Sequence, residues 1–167
     1  MLRKVGVAAL AALVVLTIGG QSVAKKKKPP ATKLVDVGVV TGFADTLSSP
    51  TGFVDLDGAS YDARAAENGT LIVRFNAESR CSGEPAAYCA VRVLVDGLEA
   101  SPIDEAGTHF DATGAGGQAS RSIERSFAGA TKGHHDVVVQ WGVFGPSSTR
   151  FDLGAWHLTV ESVRPPA

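Results

Sequence analysis

Several things are scarce in this chain, and each scarcity narrows the reading. Two cysteines in 167 residues are too few for a disulfide-dense scaffold and do not form a C-x-x-C redox pair. No G-x-S-x-G elbow is present, so the nucleophile turn of an α/β-hydrolase is excluded. Outside the first 24 residues, apolar residues nowhere recur at helical spacing over three turns. Ala63 to Glu67 could form one helical turn at most. Basic residues are also sparse in the body: from Leu34 onward Lys132 and eight arginines face all 17 acids, which leaves a charge of −8. A nucleic-acid-binding fold should carry a basic face of its own, so that class is set aside.

What is present begins at the amino terminus. Arg3 and Lys4 precede an apolar run from Val5 to Ile18, and Ser22-Val23-Ala24 follows as a small-residue exit. These are the parts of a secretory signal peptide over residues 1–24, cleaved before Lys25. The run is short of the roughly 20 residues a spanning helix needs, so a permanent anchor is the weaker reading. No transmembrane segment is expected after cleavage. The alanine- and valine-rich composition suggests a bacterial source.

Residues 25–33 (KKKKPPATK) form a Lys/Pro leader with nothing apolar to bury. It reads as a solvated spacer. The sharper alternative is that Lys25, Lys26, Lys27 and Lys28 attach the acidic body to an anionic lipid or wall polymer, at about 1 kcal/mol per lysine near such a surface.

From residue 34 to 167 the periodicity is two, which is the pattern of half-buried strands. Val35, Val37 and Val39 alternate with Leu34, Asp36 and Gly38 and are read as facing the core. Leu71-Val73-Phe75-Ala77, Cys89-Val91-Val93-Val95, Val137-Val139-Trp141-Val143 and Trp156-Leu158-Val160 repeat the pattern. Weaker strands are Thr51–Leu56, Ala59–Ala63, Thr108–Ala112 and Ser120–Phe127. Asp57-Gly58 and Asp96-Gly97 have the chemistry of two-residue type I′ hairpin turns. The expected fold is all-β: a two-sheet antiparallel β-sandwich of eight or nine strands, jelly-roll-like, in one domain.

Cys81 and Cys89 are expected to form a hairpin staple, with a free thiol pair or a metal site as the alternatives. Asp55, Asp57 and Asp62 make a weak calcium candidate, although Gly58 is misplaced for a helical calcium loop. His134 and His135 should point to opposite faces and so cannot share a metal, and His109 and His157 lack ligand partners at a known spacing. No cofactor is implied and no catalytic residue stands out, although Glu78, Glu99 or Asp136 could serve as distant paired acids. Trp141 and Trp156 share faces with valines and are expected in the core. Any ligand-stacking ring should be sought at Tyr61, Tyr88 or Phe144. Asn68-Gly69-Thr70 matches a glycosylation acceptor, but reads first as a turn.

The reading that follows is a secreted, non-catalytic β-sandwich that binds a partner or surface at the cell envelope. Its alternative is a homo-oligomeric jelly-roll structural subunit that buries a flank carrying Ile72, Val138 and Phe144. A glycan-active enzyme ranks third.

Overall fold

The computed structural model describes residues 32–44, 46–48, 52–104, 108–114 and 117–164. Residues 1–24 and most of the lysine leader lie outside the described residues. Lys33, assigned to the leader by composition, is the first residue of a strand.

Ten strand segments follow in order: β1 Lys33–Phe43, β2 Thr46–Ser48, β3 Gly52–Ala65, β4 Gly69–Ser82, β5 Tyr88–Val95, β6 Leu98–Glu99, β7 Thr108–Ala112, β8 Ala119–Ala130, β9 Gly133–Phe144 and β10 Arg150–Arg164. They occupy eight positions. β1 and β2 lie end to end on the same edge of β10, and β6 and β7 share one edge of β5. Sheet A runs β1/β2-β10-β4-β8 and sheet B runs β3-β9-β5-β6/β7. Counted by position, the first strand pairs with the eighth, the second with the seventh, the third with the sixth and the fourth with the fifth. That is one long antiparallel hairpin wrapped into two four-position sheets, which is the jelly-roll topology.

The core lies between the sheets and is built from the alternating rows. Leu71, Val73 and Phe75 of β4, Val91, Val93 and Val95 of β5, Val137 and Val139 of β9, and Leu158 and Val160 of β10 are all essentially inaccessible. Trp141 and Trp156 are also buried, at 8% and 4% exposure. Phe151 lies 5.6 Å from Trp141 and 6.2 Å from Phe110, centroid to centroid, so aromatic contacts fill part of the core between the sheets.

β1 departs from expectation. Val35, Val37 and Val39 do not face the core; Val37 and Val39 are 53% and 58% exposed. The inner face of β1 is Asp36, Gly38, Val40 and Gly42. A methyl group at Gly38 would overlap the Tyr61 ring, and one at Gly42 would overlap the Trp156 indole. Rings from β3 and β10 therefore occupy the space that the β1 valines would have needed, and a bulge at Val35 resets the register against β10.

The two Asp-Gly pairs part company. Asp96 and Gly97 both have positive φ and close a two-residue hairpin from Val95 to Leu98. Asp57-Gly58 makes no hairpin, because β3 runs through it and pairs with β9 on both sides. Leu56 to Ala59 face one residue of β9, between Asp55↔Gln140 and Ser60↔Val138. The result is a wide bulge that drives Leu56 and Ala59 into the core. Ala63 to Glu67 holds no helical turn either: Ala63 and Ala65 belong to β3, and Glu67-Asn68 is the turn into β4.

Cys81 and Cys89 are bonded, with Cα atoms 5.8 Å apart. Their strands lie in different sheets, so the bridge ties sheet A to sheet B at a crossover instead of closing a hairpin. Replacing both cysteines with serine should lower unfolding stability by about 2–3 kcal/mol with the circular dichroism of the fold retained, measured by denaturant titration. Replacing Gly38 with valine, which would gain stability if β1 were short only of strand propensity, should instead cost about 1–3 kcal/mol through collision with Tyr61. An unchanged midpoint would contradict that packing.

Candidate functional site

Four surfaces could carry function: the two sheet faces and the two ends. On the outer face of sheet B the large side chains are engaged with one another. Tyr88 stacks on His109 at 3.9 Å and on Phe144 at 4.9 Å, and Phe144 meets Phe53 edge-on at 5.2 Å. This row crosses every position of the sheet, and Phe144 and Phe53 approach the bare backbone of Gly142. The Arg92 guanidinium sits 4.2 Å from the Phe53 centroid, donates to Gln140 at 2.8 Å and pairs with Glu99 at 3.8 Å. Gln140 in turn donates to Asp55 at 2.6 Å. Tyr88 and Phe144, marked from sequence as ligand-stacking candidates, are thus brought together, but their ring faces are turned on their neighbours. Tyr61 is not available either: it is half-buried on Gly38, and its hydroxyl reaches Asp36 at 3.4 Å. Burial, then the Asp36 carboxylate, hold its phenol above the ordinary value.

The calcium candidates separate. Asp55 accepts from Gln140, Asp62 meets His134 at 2.9 Å and Asp57 is exposed on the bulge. Among the described residues no group of three or more acids, histidines or cysteines could hold a metal ion. The candidate acids separate too. Glu78 lies on sheet A, whereas Glu99 and Asp136 lie two strand positions apart on sheet B.

At the end where β1 starts, sequence reasoning missed an ion pair between a buried histidine and an exposed aspartate. His134 is exposed, and His135 points inward at 5% exposure. His135 Nδ1 lies 2.6 Å from Asp96 Oδ2, and Nε2 lies 3.0 Å from the Thr131 carbonyl. Both partners accept, so the two bonds form together when both ring nitrogens carry a proton, that is, in the imidazolium form. Asp96 Oδ1 also accepts the Asp136 N–H at 2.9 Å, and the Asp96 N–H returns a bond to the Asp136 carbonyl at 2.8 Å. One side chain thus clamps the β5–β6 turn to β9 and to the β8–β9 loop.

The Thr131 carbonyl, outweighing burial, and then Asp96 raise the His135 pKa. Burial pushes Asp96 up, but the His135 and Asp136 bonds prevail and hold it below its ordinary value. The stability from His135 is complete below about pH 6.5 and is lost as pH rises through its raised value. That from Asp96 is complete above about pH 4 and is lost as pH falls through its lowered value. The clamp is therefore strongest between about pH 4 and 6.5. Melting temperatures should fall from pH 6 to pH 9, and the His135→Leu variant should lose most of that slope. Parallel slopes for the two proteins would remove His135 as the cause.

Sheet A's outer face differs, because it divides into two unlike halves. Near the start of β1 lie Leu34, Val37 and Val39, each more than half exposed. Val163 of β10 and Ile72 of β4 are half-buried beside them. Arg74 marks the border, bonded to Glu124 at 2.5 Å and to Glu161 at 2.7 Å. Beyond it the face hollows into a shallow cup of about 760 Å³. Thr41 and Phe43 of β1 and Ala155 and His157 of β10 form one side of it. Asn76 and Glu78 of β4 with Ser120 and Ser122 of β8 form the other. Phe43 is 74% exposed. Ile72 therefore lies on this face, and Val138 and Phe144 on the opposite one. The three cannot make a single flank, because β4 and β9 belong to different sheets.

No protein-family model matches the chain, and no curated protein matches it. Solved structures do share its architecture. A chain in the structure of infectious bursal disease virus Gt strain aligns over 93% of this chain at 13% identity and a TM-score of 0.51. The VP2 subviral particle of infectious bursal disease virus aligns over 93% at 11% identity and a TM-score of 0.49. This chain spans 41% and 42% of those two chains. The shared feature is the fold. This chain is a jelly-roll β-sandwich.

Proposed function

We infer that this protein is a non-catalytic jelly-roll structural subunit that associates with copies of itself. The observation carrying this reading is the apolar half of sheet A's outer face, where Leu34, Val37 and Val39 stand more than half exposed beside Ile72 and Val163. In register Glu161 stands between Val37 and Ile72, so the apolar surface is a strip along β1 with Val163 and Ile72 at its side, and exposed apolar surface of this kind marks interfaces. The contact would be face to face and not strand to strand, because the free edge is blunted. Asp36 accepts the Val37 N–H at 2.9 Å and the Arg64 N–H at 2.8 Å, tying the two edge strands together, and Val35 bulges out of register. The likeness to the virus structures supports the fold of such a subunit and nothing finer. The inter-sheet disulfide supports an oxidising, extracytoplasmic setting, in keeping with removal of residues 1–24 on export to the cell envelope. Whether the lysine leader also touches an anionic surface is a separate part of the proposal.

Magnitude sets the strength of the contact. Four strands about 4.8 Å apart and roughly seven residues of each make a half-face near 400 Å². Stable dimers bury about 800 Å² per partner, so one such contact is weak and reversible. Two copies of residues 25–167, each of charge −3 from a body of −8 and a leader of +5, also repel weakly, and salt screens that repulsion. Sedimentation equilibrium of residues 25–167 should therefore show a mass that rises with concentration and rises further with added salt. Val37→Lys combined with Val39→Lys should return it to the monomer. A monomer at every concentration and salt would end this reading.

A further inference from the structure

The cup on sheet A is left unexplained by assembly through the apolar half. Its polar side chains differ from those of sheet B in one respect. On sheet B the equivalent groups bond to one another, whereas Asn76, Glu78, Ser120 and Ser122 make no side-chain hydrogen bond among the described residues. His157 is engaged, through Nε2 to Thr159 Oγ1 at 2.9 Å. Beside these groups stands Phe43, and its register partner is Ala155, a floor with almost no side chain. An exposed ring next to a low floor, facing amide, carboxylate, imidazole and hydroxyl groups, is an uneven surface with one flat apolar wall.

We propose that this cup is a binding site for a neutral oligosaccharide, with Phe43 as the stacking wall and Asn76, Glu78, Ser120, Ser122 and His157 as hydrogen-bonding partners. Its volume falls within the range of roughly 300–1,000 Å³ typical of ligand sites. Three arguments select the ligand class. A sugar ring is apolar on its C–H faces and polar on its rim, which fits one aromatic wall and a ring of donors and acceptors. The cup crosses all four positions of the sheet, an open track about 14 Å wide at three strand spacings, which suits an extended chain better than a compact ligand. The cationic side chain at the cup is Arg121, and it is turned to Asp111 at 3.3 Å. Asp111 is itself buried and bonded by the Ser79 hydroxyl at 2.9 Å. With that cation paired and Glu78 adding negative charge, a phosphate or a polyanion is disfavoured.

The site does not depend on self-association, since Phe43 lies beyond the Arg74 border from Val37 and Val39. The experiment is a glycan array of neutral hexose and N-acetylhexosamine oligomers probed with residues 25–167, followed by titration of the best binder. Binding to a neutral oligomer is expected. Phe43→Ala and Asn76→Ala should each weaken it roughly tenfold, as expected for losing one stacking or hydrogen-bonding contact. Phe43→Trp should retain it. These variants should keep the melting temperature and the sedimentation behaviour of the parent, whereas Val37→Lys with Val39→Lys should alter mass and leave glycan affinity alone. No binding across the array at millimolar oligomer, or binding indifferent to Phe43→Ala, overturns the proposal.

Discussion

Two glycines under two rings set the form of this molecule. Gly38 and Gly42 of β1 let Tyr61 and Trp156 lie against bare backbone, so the first strand closes onto the sandwich with only Asp36 and Val40 as side chains of its own inside. Close approach of this kind is a use of glycine that no other residue can supply. Its consequence is on the outside. With the interior filled by rings from β3 and β10, the valines of β1 turn to solvent, and Leu34, Val37, Val39 and Phe43 line the outer face of sheet A. Both the apolar half of that face and the ring at the rim of the cup descend from this one packing arrangement.

The same arrangement explains what could and could not be read from sequence. Strands β4, β5, β9 and β10 carry their own core residues, so period-two alternation gave their orientation correctly, Trp141 and Trp156 included. In β1 the alternation was equally regular and its sign was wrong, because the residues that fill the core there come from other strands. Parity identifies a strand; only the partner identifies its inner face. The Asp-Gly pairs make the same point about turns. Asp96-Gly97 joins two segments that pair with each other, while the segments on either side of Asp57-Gly58 both pair with β9, so the positive φ of Gly58 serves a bulge. His135 was invisible for a related reason: Thr131 and Asp96 meet it through a loop and a neighbouring turn. The Tyr88–Phe144 contact was half-visible. Both rings were marked, but their mutual stacking depends on register across β5 and β9.

The two sheets treat their outer faces differently. Sheet B satisfies itself: three rings stack in a row with a fourth set edge-on at its end, and a chain of bonds runs from Asp55 through Gln140 and Arg92 to Glu99. Individually such exposed contacts are worth only a fraction of a kcal/mol to about one. Together they leave few polar groups seeking a partner and few ring faces uncovered. Sheet A keeps one ordered network, Arg74 with Glu124 and Glu161, and leaves apolar surface on one side of it and unbonded polar groups on the other. The asymmetry points function to sheet A.

Edge protection sharpens that conclusion. A sandwich with an apolar outer strand at its rim invites strand addition, which is open-ended and leads to aggregates. Here Asp36 turns inward, takes N–H groups from both edge strands and binds them to each other, and the bulge at Val35 breaks the flat edge. The net charge of −8 on the body opposes indiscriminate contact as well. These features suppress pairing through the backbone while leaving the valines of β1 uncovered, although polar residues at Val37 and Val39 would fit those exposed positions with no loss of core. Blocking the β1–β3 edge while leaving the outer residues of β1 apolar favours a limited contact through side chains over a continuous sheet along that edge.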